Sequence, residues 1–130
     1  MCRLVGIGTN FNTKVMVADI KAEYIINILE KADLCRNICS IYLFGSVLKE
    51  ECRENSDIDV LIVSDIARSK LYKFKSFNHF LIRLHEKDNY LQQYDIICVH
   101  GMNELEKNRH KVILYNNVRM NGRELYRRMD

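Results

Sequence analysis

Three aspartates in two apolar segments are the residues whose type and spacing point most directly to chemistry. Asp57 and Asp59 open the segment DIDVLIV at 57–63, and Asp95 lies inside YDIICV at 94–99. Side chains two apart on a strand share a face, so the first two carboxylates are presented together, about 6.6 Å apart along the backbone. A simpler reading is that they merely begin a strand in solvent. An aspartate inside a buried strand, however, is costly unless it is paired or binds a cation, and carboxylates suit magnesium or manganese.

A turn that precedes these strands is the second chemical feature. The apolar run IYLF at 41–44 ends in Gly45-Ser46, and Ser46 is a suitable N-cap for a short helical turn whose backbone amides can receive a phosphate. Gly-Ser is also an ordinary turn dipeptide. If the strand of Asp95 lies beside that of Asp57, the three carboxylates form one cluster. Such a cluster can hold two divalent ions for in-line displacement at phosphorus.

The elements that must position these residues follow from apolar periodicity. Helical spacing predicts helices over 18–34, 66–87 and 102–120, the last ending at a capping Gly122. Short β-rich runs predict strands over 41–44, 57–63 and 94–99. In the 57–63 strand, Leu61 and Val63 should continue the aspartate face, with the alternate residues on the other. The order predicts a small α/β sheet with helices packed on it, and residues 1–17 carry no clear pattern.

Composition predicts an ordinary globular protein. The 130 residues are 48% hydrophobic and 28% charged, which predicts one domain over 1–130 with an uncertain extension at 1–17. No apolar run approaches the roughly 20 residues that span a bilayer, and the N-terminus does not resemble a signal peptide. Five cysteines without such a signal favour reduced thiols. We therefore expect a cytoplasmic protein with no membrane partner.

Charge is unevenly distributed along the chain. Residues 1–65 carry 7 basic and 10 acidic side chains, which gives a net charge of −3. Residues 66–130 carry 13 basic and 7 acidic side chains, which gives a net charge of +6. This density is too low for a dedicated nucleic-acid binder. We expect the basic residues of the 66–87 helix to form its solvated face. The arginines near the C-terminus either cover apolar surface or dock on an acidic partner; they are Arg119, Arg123, Arg127 and Arg128.

The chain resembles the DNA polymerase beta-like nucleotidyltransferase superfamily. The similarity rests on Gly45-Ser46, a ten-residue spacer, Asp57-x-Asp59 and a later single aspartate on the next strand, Asp95. Ser56, the small size and the ending NGRELY at 121–126 are most similar to the minimal nucleotidyltransferases. The resemblance covers residues 18–126 and implies their fold, a small mixed β-sheet with helices packed on it.

The resemblance also implies roles for the matching residues. Asp57 and Asp59 would bind the magnesium or manganese ions on a nucleoside triphosphate such as ATP. Asp95 would bind the second ion and help deprotonate the attacking hydroxyl, while Gly45 and Ser46 would contact the β- and γ-phosphates. The enzyme would then transfer a nucleoside monophosphate and release pyrophosphate. The usual arginine after Gly-Ser is absent here, and Lys49 or Arg53 would replace its phosphate contact.

The same resemblance implies a partner. Short domains of this kind often pair with a separate helical HEPN toxin and modify one of its tyrosines, which would make this chain an antitoxin. Two alternatives stay open. A catalytically weak member would neutralise its partner by binding alone, and three glutamates in the 47–56 spacer favour this reading. A transferase acting on a small-molecule hydroxyl is the other alternative.

Overall fold

A computed structural model describes residues 13–31, 37–48, 57–87, 92–108 and 112–128. The helices are α1 (Thr13–Lys31), α2 (Arg68–Leu71), α3 (Lys75–Lys87), α4 (Met102–Lys107) and α5 (Ile113–Asn121). The strands are β1 (Ile38–Phe44), β2 (Ile58–Ser64), β3 (Tyr94–His100) and β4 (Arg123–Arg127), and a 3-10 turn over Gly45–Leu48 follows β1. Within the described ranges no helix is both long and apolar enough to cross a membrane.

The four strands form one mixed sheet in the order β3-β2-β1-β4. Strand β1 is antiparallel to β2 and to β4, whereas β2 and β3 are parallel. A parallel pair needs a crossover connection, and α2 and α3 supply it. This architecture confirms the predicted α/β fold with a mixed sheet.

One face of the sheet is covered by α1 and α3. Ile25 and Leu29 of α1 and Phe77 and Phe80 of α3 are buried against it. The sheet contributes the predicted alternate residues of β2 to this core, namely Ile58, Val60 and Ile62. Burial of apolar area at roughly 25 cal/mol per Å² makes this layer the main source of stability.

The opposite face has a smaller core under α4 and α5. Leu61 and Val63 of β2 pack here with Leu105 of α4 and Val118 of α5. Because Asp59 alternates with these two β2 residues, it lies on the same face, as the sequence predicts. In the part of the chain that the structure describes, Asp59 is half-buried and Asp95 is exposed, so this face carries both a core and polar residues.

Both long C-terminal helices of the sequence prediction are broken by turns. The 66–87 helix is interrupted after α2, where the Asn78 side chain donates to the carbonyls of Tyr72 and Phe74, each at 2.9 Å. The 102–120 helix is interrupted after α4, where Asn108 donates its side chain to the Glu104 carbonyl at 2.9 Å. The carbonyls of Phe74 and Glu104 also accept the backbone N–H of the same asparagine, so each side chain adds a second hydrogen bond at its turn. The apolar spacing continues through both breaks in the backbone.

Strand β4 was not predicted from the sequence. It is short and has exposed residues at both ends, so it lacks the apolar alternation that identifies a strand. Gly122 is the C-cap of α5, as the sequence predicts, and its extended backbone leads from α5 into this strand. The nearby arginines pair within the chain, Arg119 with Glu106, Arg123 with Asp19 and Arg128 with Asp65.

Glu124 attaches β4 to its neighbour. Its carboxylate accepts a hydrogen bond from Ser40 Oγ at 2.6 Å and pairs with Arg127 at 3.0 Å. Burial raises the pKa of Glu124, but hydrogen bonds from Ser40, Tyr42 and Arg127 together lower it by more than burial raises it. The pKa of Glu124 therefore lies below its usual value of 4.5. The ionised form is therefore the one that stabilises the folded sheet.

Glu124→Gln is expected to destabilise the protein by about 1 kcal/mol at pH 7, the scale of one lost hydrogen bond. Since folding lowers this pKa, the stabilisation is complete above about pH 4.5 and disappears as pH falls through the lower folded value. Urea unfolding at pH 7 and pH 3.5 measures the effect, with exposed Glu30→Gln as the control. An equal cost of Glu124→Gln at both pH values would contradict the assignment.

Candidate active site

The parallel pairing of β2 and β3 brings two of the predicted aspartates together. Asp59 and Asp95 are direct partners in its register. Asp59 is two residues before Leu61, and Asp95 is two residues before Ile97; both of these apolar residues belong to the core under α4 and α5. Side chains two apart on a strand share a face, so both carboxylates lie on that face of the sheet. Adjacent strands are about 4.8 Å apart, which places the two side chains next to each other. Asp95 is exposed because β3 is an edge strand of the described sheet, so the expectation that its carboxylate is buried is wrong.

Asp57 adds a third negative charge. It immediately precedes β2 and is exposed, whereas Asp59 is half-buried. The pKa of Asp59 is raised above its usual value of 3.8, first by burial and then by the negative charges of Asp95 and Asp57. The three carboxylates therefore act electrostatically as one cluster, and ionisation of Asp59 is opposed by its neighbours.

The turn after β1 lies directly against this cluster. Phe44 pairs with Asp59 across the β1 and β2 strands, and Gly45 follows with a φ of +78°. A side chain at Gly45 would collide with Oδ2 of Asp59. The position thus requires glycine twice, once for its left-handed backbone and once for the close approach of the carboxylate.

The other predicted phosphate contacts are partly outside the described residues. Ser46 lies in the 3-10 turn, which agrees with the predicted short helical turn at this position. Lys49 and Arg53 belong to the 49–56 segment and lie outside the described residues. Their contacts with phosphate therefore stay predictions.

A cleft beside the turn was not found from the sequence. It has a volume of about 250 Å³ and is lined by Phe44, Gly45, Leu48, Asn117 and Asn121. The two asparagines are four apart on α5, and Asn121 Nδ2 donates to Asn117 Oδ1 at 2.8 Å. Their spacing on one helix face was a signal, but nothing local indicated that this face meets the Gly45 turn.

The donor chemistry of the cluster fits a divalent cation. Its donors are carboxylate oxygens, which suit magnesium or manganese, and a cation between them would relieve the repulsion that raises the pKa of Asp59. Over the described ranges, no three His, Cys, Asp or Glu side chains stand arranged as a preformed metal site. Asp59 and Asp95 are thus paired in the strand register and repel each other electrostatically, but the described carboxylates are not arranged as a metal-binding site.

The fold and the candidate site indicate the class of protein, and a match to a known family model identifies the family. The mixed sheet with carboxylates on adjacent strands beside a glycine turn has the architecture of a nucleotidyltransferase domain. The family model described as polymerase beta, nucleotidyltransferase matches residues 23–129. The chain belongs to this family. No curated protein and no solved structure matched the chain in the parallel searches.

Proposed function

We propose that this protein is a magnesium-dependent nucleotidyltransferase that moves a nucleoside monophosphate, AMP from ATP in the first instance, to a hydroxyl group. The observation that carries the proposal is the in-register pairing of Asp59 with Asp95, with the Gly45 turn packed against Asp59. Membership of the family supports nucleotidyl transfer in general. Metal, nucleotide and acceptor are the parts that we add.

In the proposed mechanism the chain supplies position and charge. Asp57 and Asp59 would hold magnesium, and Asp95 would join them at a second ion. Bound there, the ions would neutralise the triphosphate and polarise the reacting phosphoryl group. The Gly45 turn would present backbone amides to the outer phosphates, since a side chain there would occupy the space next to Asp59.

The proposed reaction is an in-line displacement at the α-phosphorus. The acceptor oxygen forms a bond to that phosphorus while the bond to the bridging oxygen breaks, and pyrophosphate leaves. Asp95 accepts the hydroxyl proton directly or through water. Lys49 and Arg53 would add positive charge to the leaving pyrophosphate. Catalysis would then come from orientation and electrostatic stabilisation.

For the acceptor we propose a tyrosine of a separate HEPN-type helical protein, which would make this chain the antitoxin of a pair. The support is the similarity to the minimal nucleotidyltransferases, carried by the Gly-Ser turn, the ten-residue spacer and the NGRELY ending. A macromolecular acceptor also agrees with the exposure of Asp57 and Asp95 among the described residues.

Label position in ATP tests the proposal directly. The protein is incubated with magnesium, a HEPN protein encoded beside it, and ATP labelled at either the α- or the γ-phosphate. We expect acceptor labelling from the α-label only, and its loss in the double variant Asp57→Ala/Asp59→Ala. Neutralisation of the partner that survives this double substitution would instead support inhibition by binding alone.

A further inference from the structure

The cleft between the Gly45 turn and α5 adjoins the carboxylate cluster. Gly45 lines the cleft on one side and touches Asp59 on the other. Among the residues that the structure describes, its remaining walls come from Phe44, Leu48, Asn117 and Asn121, none of which is charged. A neutral group is therefore a better occupant than a phosphate, although the phosphate subsite proposed above begins at the same glycine.

The size of the cleft matches one part of a nucleotide. Whole small-molecule sites typically have volumes of about 300–1,000 Å³. At about 250 Å³ the cleft is below this range, which suits a base with part of its ribose better than a complete nucleoside triphosphate. Phe44 and Leu48 provide apolar wall for a planar ring, and the asparagines provide polar groups.

The two asparagines form a short chain of amides. Because Asn121 Nδ2 donates to Asn117 Oδ1, the Asn117 amide nitrogen and the Asn121 carbonyl oxygen can serve a ligand as donor and acceptor. A nucleobase such as adenine carries both acceptors and donors on its edges, so it can meet either group. Among the described residues the neighbouring Asn116 is exposed and does not line the cleft.

We propose that this cleft holds the nucleoside part of the triphosphate and that Asn117 and Asn121 are its recognition residues. The proposal rests on the proposed function, because it takes the phosphates to lie at Gly45 and Asp59. Because Gly45 both lines the cleft and lies against Asp59, a nucleoside in the cleft would adjoin phosphates anchored at that glycine. The asparagines would then determine affinity for the nucleoside and contribute nothing to binding of the phosphates.

Calorimetry with two ligands separates these contributions. Wild type, Asn117→Ala, Asn121→Ala and the matched control Asn116→Ala are each titrated with magnesium ATP and with magnesium tripolyphosphate. We expect each cleft substitution to weaken ATP binding by about 5- to 10-fold, the scale of one lost hydrogen bond, and the double variant by about 30-fold or more. Tripolyphosphate binding, and every value for Asn116→Ala, should stay at the wild-type level. Thermal melting confirms that the variants are folded.

Unchanged ATP affinity in the Asn117→Ala/Asn121→Ala double variant would overturn the inference while leaving the proposed function intact. If the KM for the hydroxyl acceptor were raised in that same variant, the cleft would be assigned to the acceptor.

A second measurement does not depend on the metal cluster. Adenosine, which has no phosphate, should shift the side-chain amide NMR signals of Asn117 and Asn121 but not that of Asn116, in wild type and in Asp59→Asn alike. Absence of these shifts at millimolar adenosine would overturn the inference. Failure of wild type to bind either magnesium ligand, with the adenosine shifts present, would refute the proposed function alone.

Discussion

Asp59→Asn is expected to abolish nucleotidyl transfer and, at the same time, to stabilise the folded protein. The substitution keeps the shape of the side chain and removes a charge that burial, Asp95 and Asp57 all oppose, as the raised pKa of Asp59 shows. Loss of a proposed metal ligand should lower the transfer rate about 1,000-fold or more. Relief of repulsion should raise the free energy of unfolding at pH 7 by about 1 kcal/mol, a gain typical of relaxing a strained active site.

The sign of the stability effect follows from proton binding. Because folding raises this pKa, the folded chain holds the proton more tightly than the unfolded chain, and stability falls as pH rises from the usual value of 3.8 through the higher folded value. Asp59→Asn removes that loss, so its advantage is present at neutral pH and fades in acid. In chelator we expect a melting temperature about 2–8 °C above wild type.

Magnesium with ATP should reverse the order of the melting temperatures of wild type and Asp59→Asn. A ligand that binds only the folded state raises its stability, so magnesium with ATP should raise the melting temperature of wild type and leave Asp59→Asn unchanged. Asp65→Asn is the matched control, since Asp65 directly follows the other end of β2 and pairs with Arg128. An Asp59→Asn protein that is less stable than wild type in chelator, or that keeps its activity, would contradict the electrostatic account.

Gly45→Ala is expected to cost both stability and nucleotide binding. An alanine at a φ of +78° is strained by about 1–2 kcal/mol, and its Cβ would collide with Oδ2 of Asp59. Displacing this carboxylate also moves a proposed metal ligand. We expect a total destabilisation of about 2–4 kcal/mol and a loss of at least 10-fold in affinity for magnesium ATP.

Gly101→Ala is a matched control for the backbone term. Gly101 also has a positive φ, +85°, but a Cβ there meets nothing within 4 Å. Its substitution should reduce stability by about 1–2 kcal/mol, the backbone strain alone, and leave magnesium ATP binding unchanged at a temperature where the protein is folded. Equal losses of ATP affinity in the two variants would show that the contact between Gly45 and Asp59 has no part in the site.

Several features of the site could be predicted because they depend on local periodicity. The alternation along β2 placed Asp59 on the face of Leu61 and Val63, and the structure confirms this arrangement. The apolar run before Gly45 predicted a buried strand ending in a turn, which is β1 with its 3-10 turn. In each case the backbone geometry relates neighbours along the chain, so residue spacing is sufficient.

Helix breaks and strand β4 could not be predicted in the same way. The apolar spacing of 66–87 runs through the turn between α2 and α3, because both helices pack against one sheet face and keep its phase. At the break the Asn78 side chain donates hydrogen bonds to the carbonyls of Tyr72 and Phe74, and apolar spacing does not encode these contacts. Strand β4 is held by pairing with β1 and by Glu124, and such pairing leaves no apolar pattern of its own.

By itself, then, the sequence supplied the candidate residues for the proposed chemistry and predicted which face of β2 presents Asp59. The tertiary structure decided that Asp95 is the in-register neighbour of Asp59, that Gly45 touches its carboxylate, and that α5 places Asn117 and Asn121 beside the turn. These are contacts between segments far apart in the chain. They depend on strand register and on the angle at which a helix packs, and no local spacing of residues encodes either quantity.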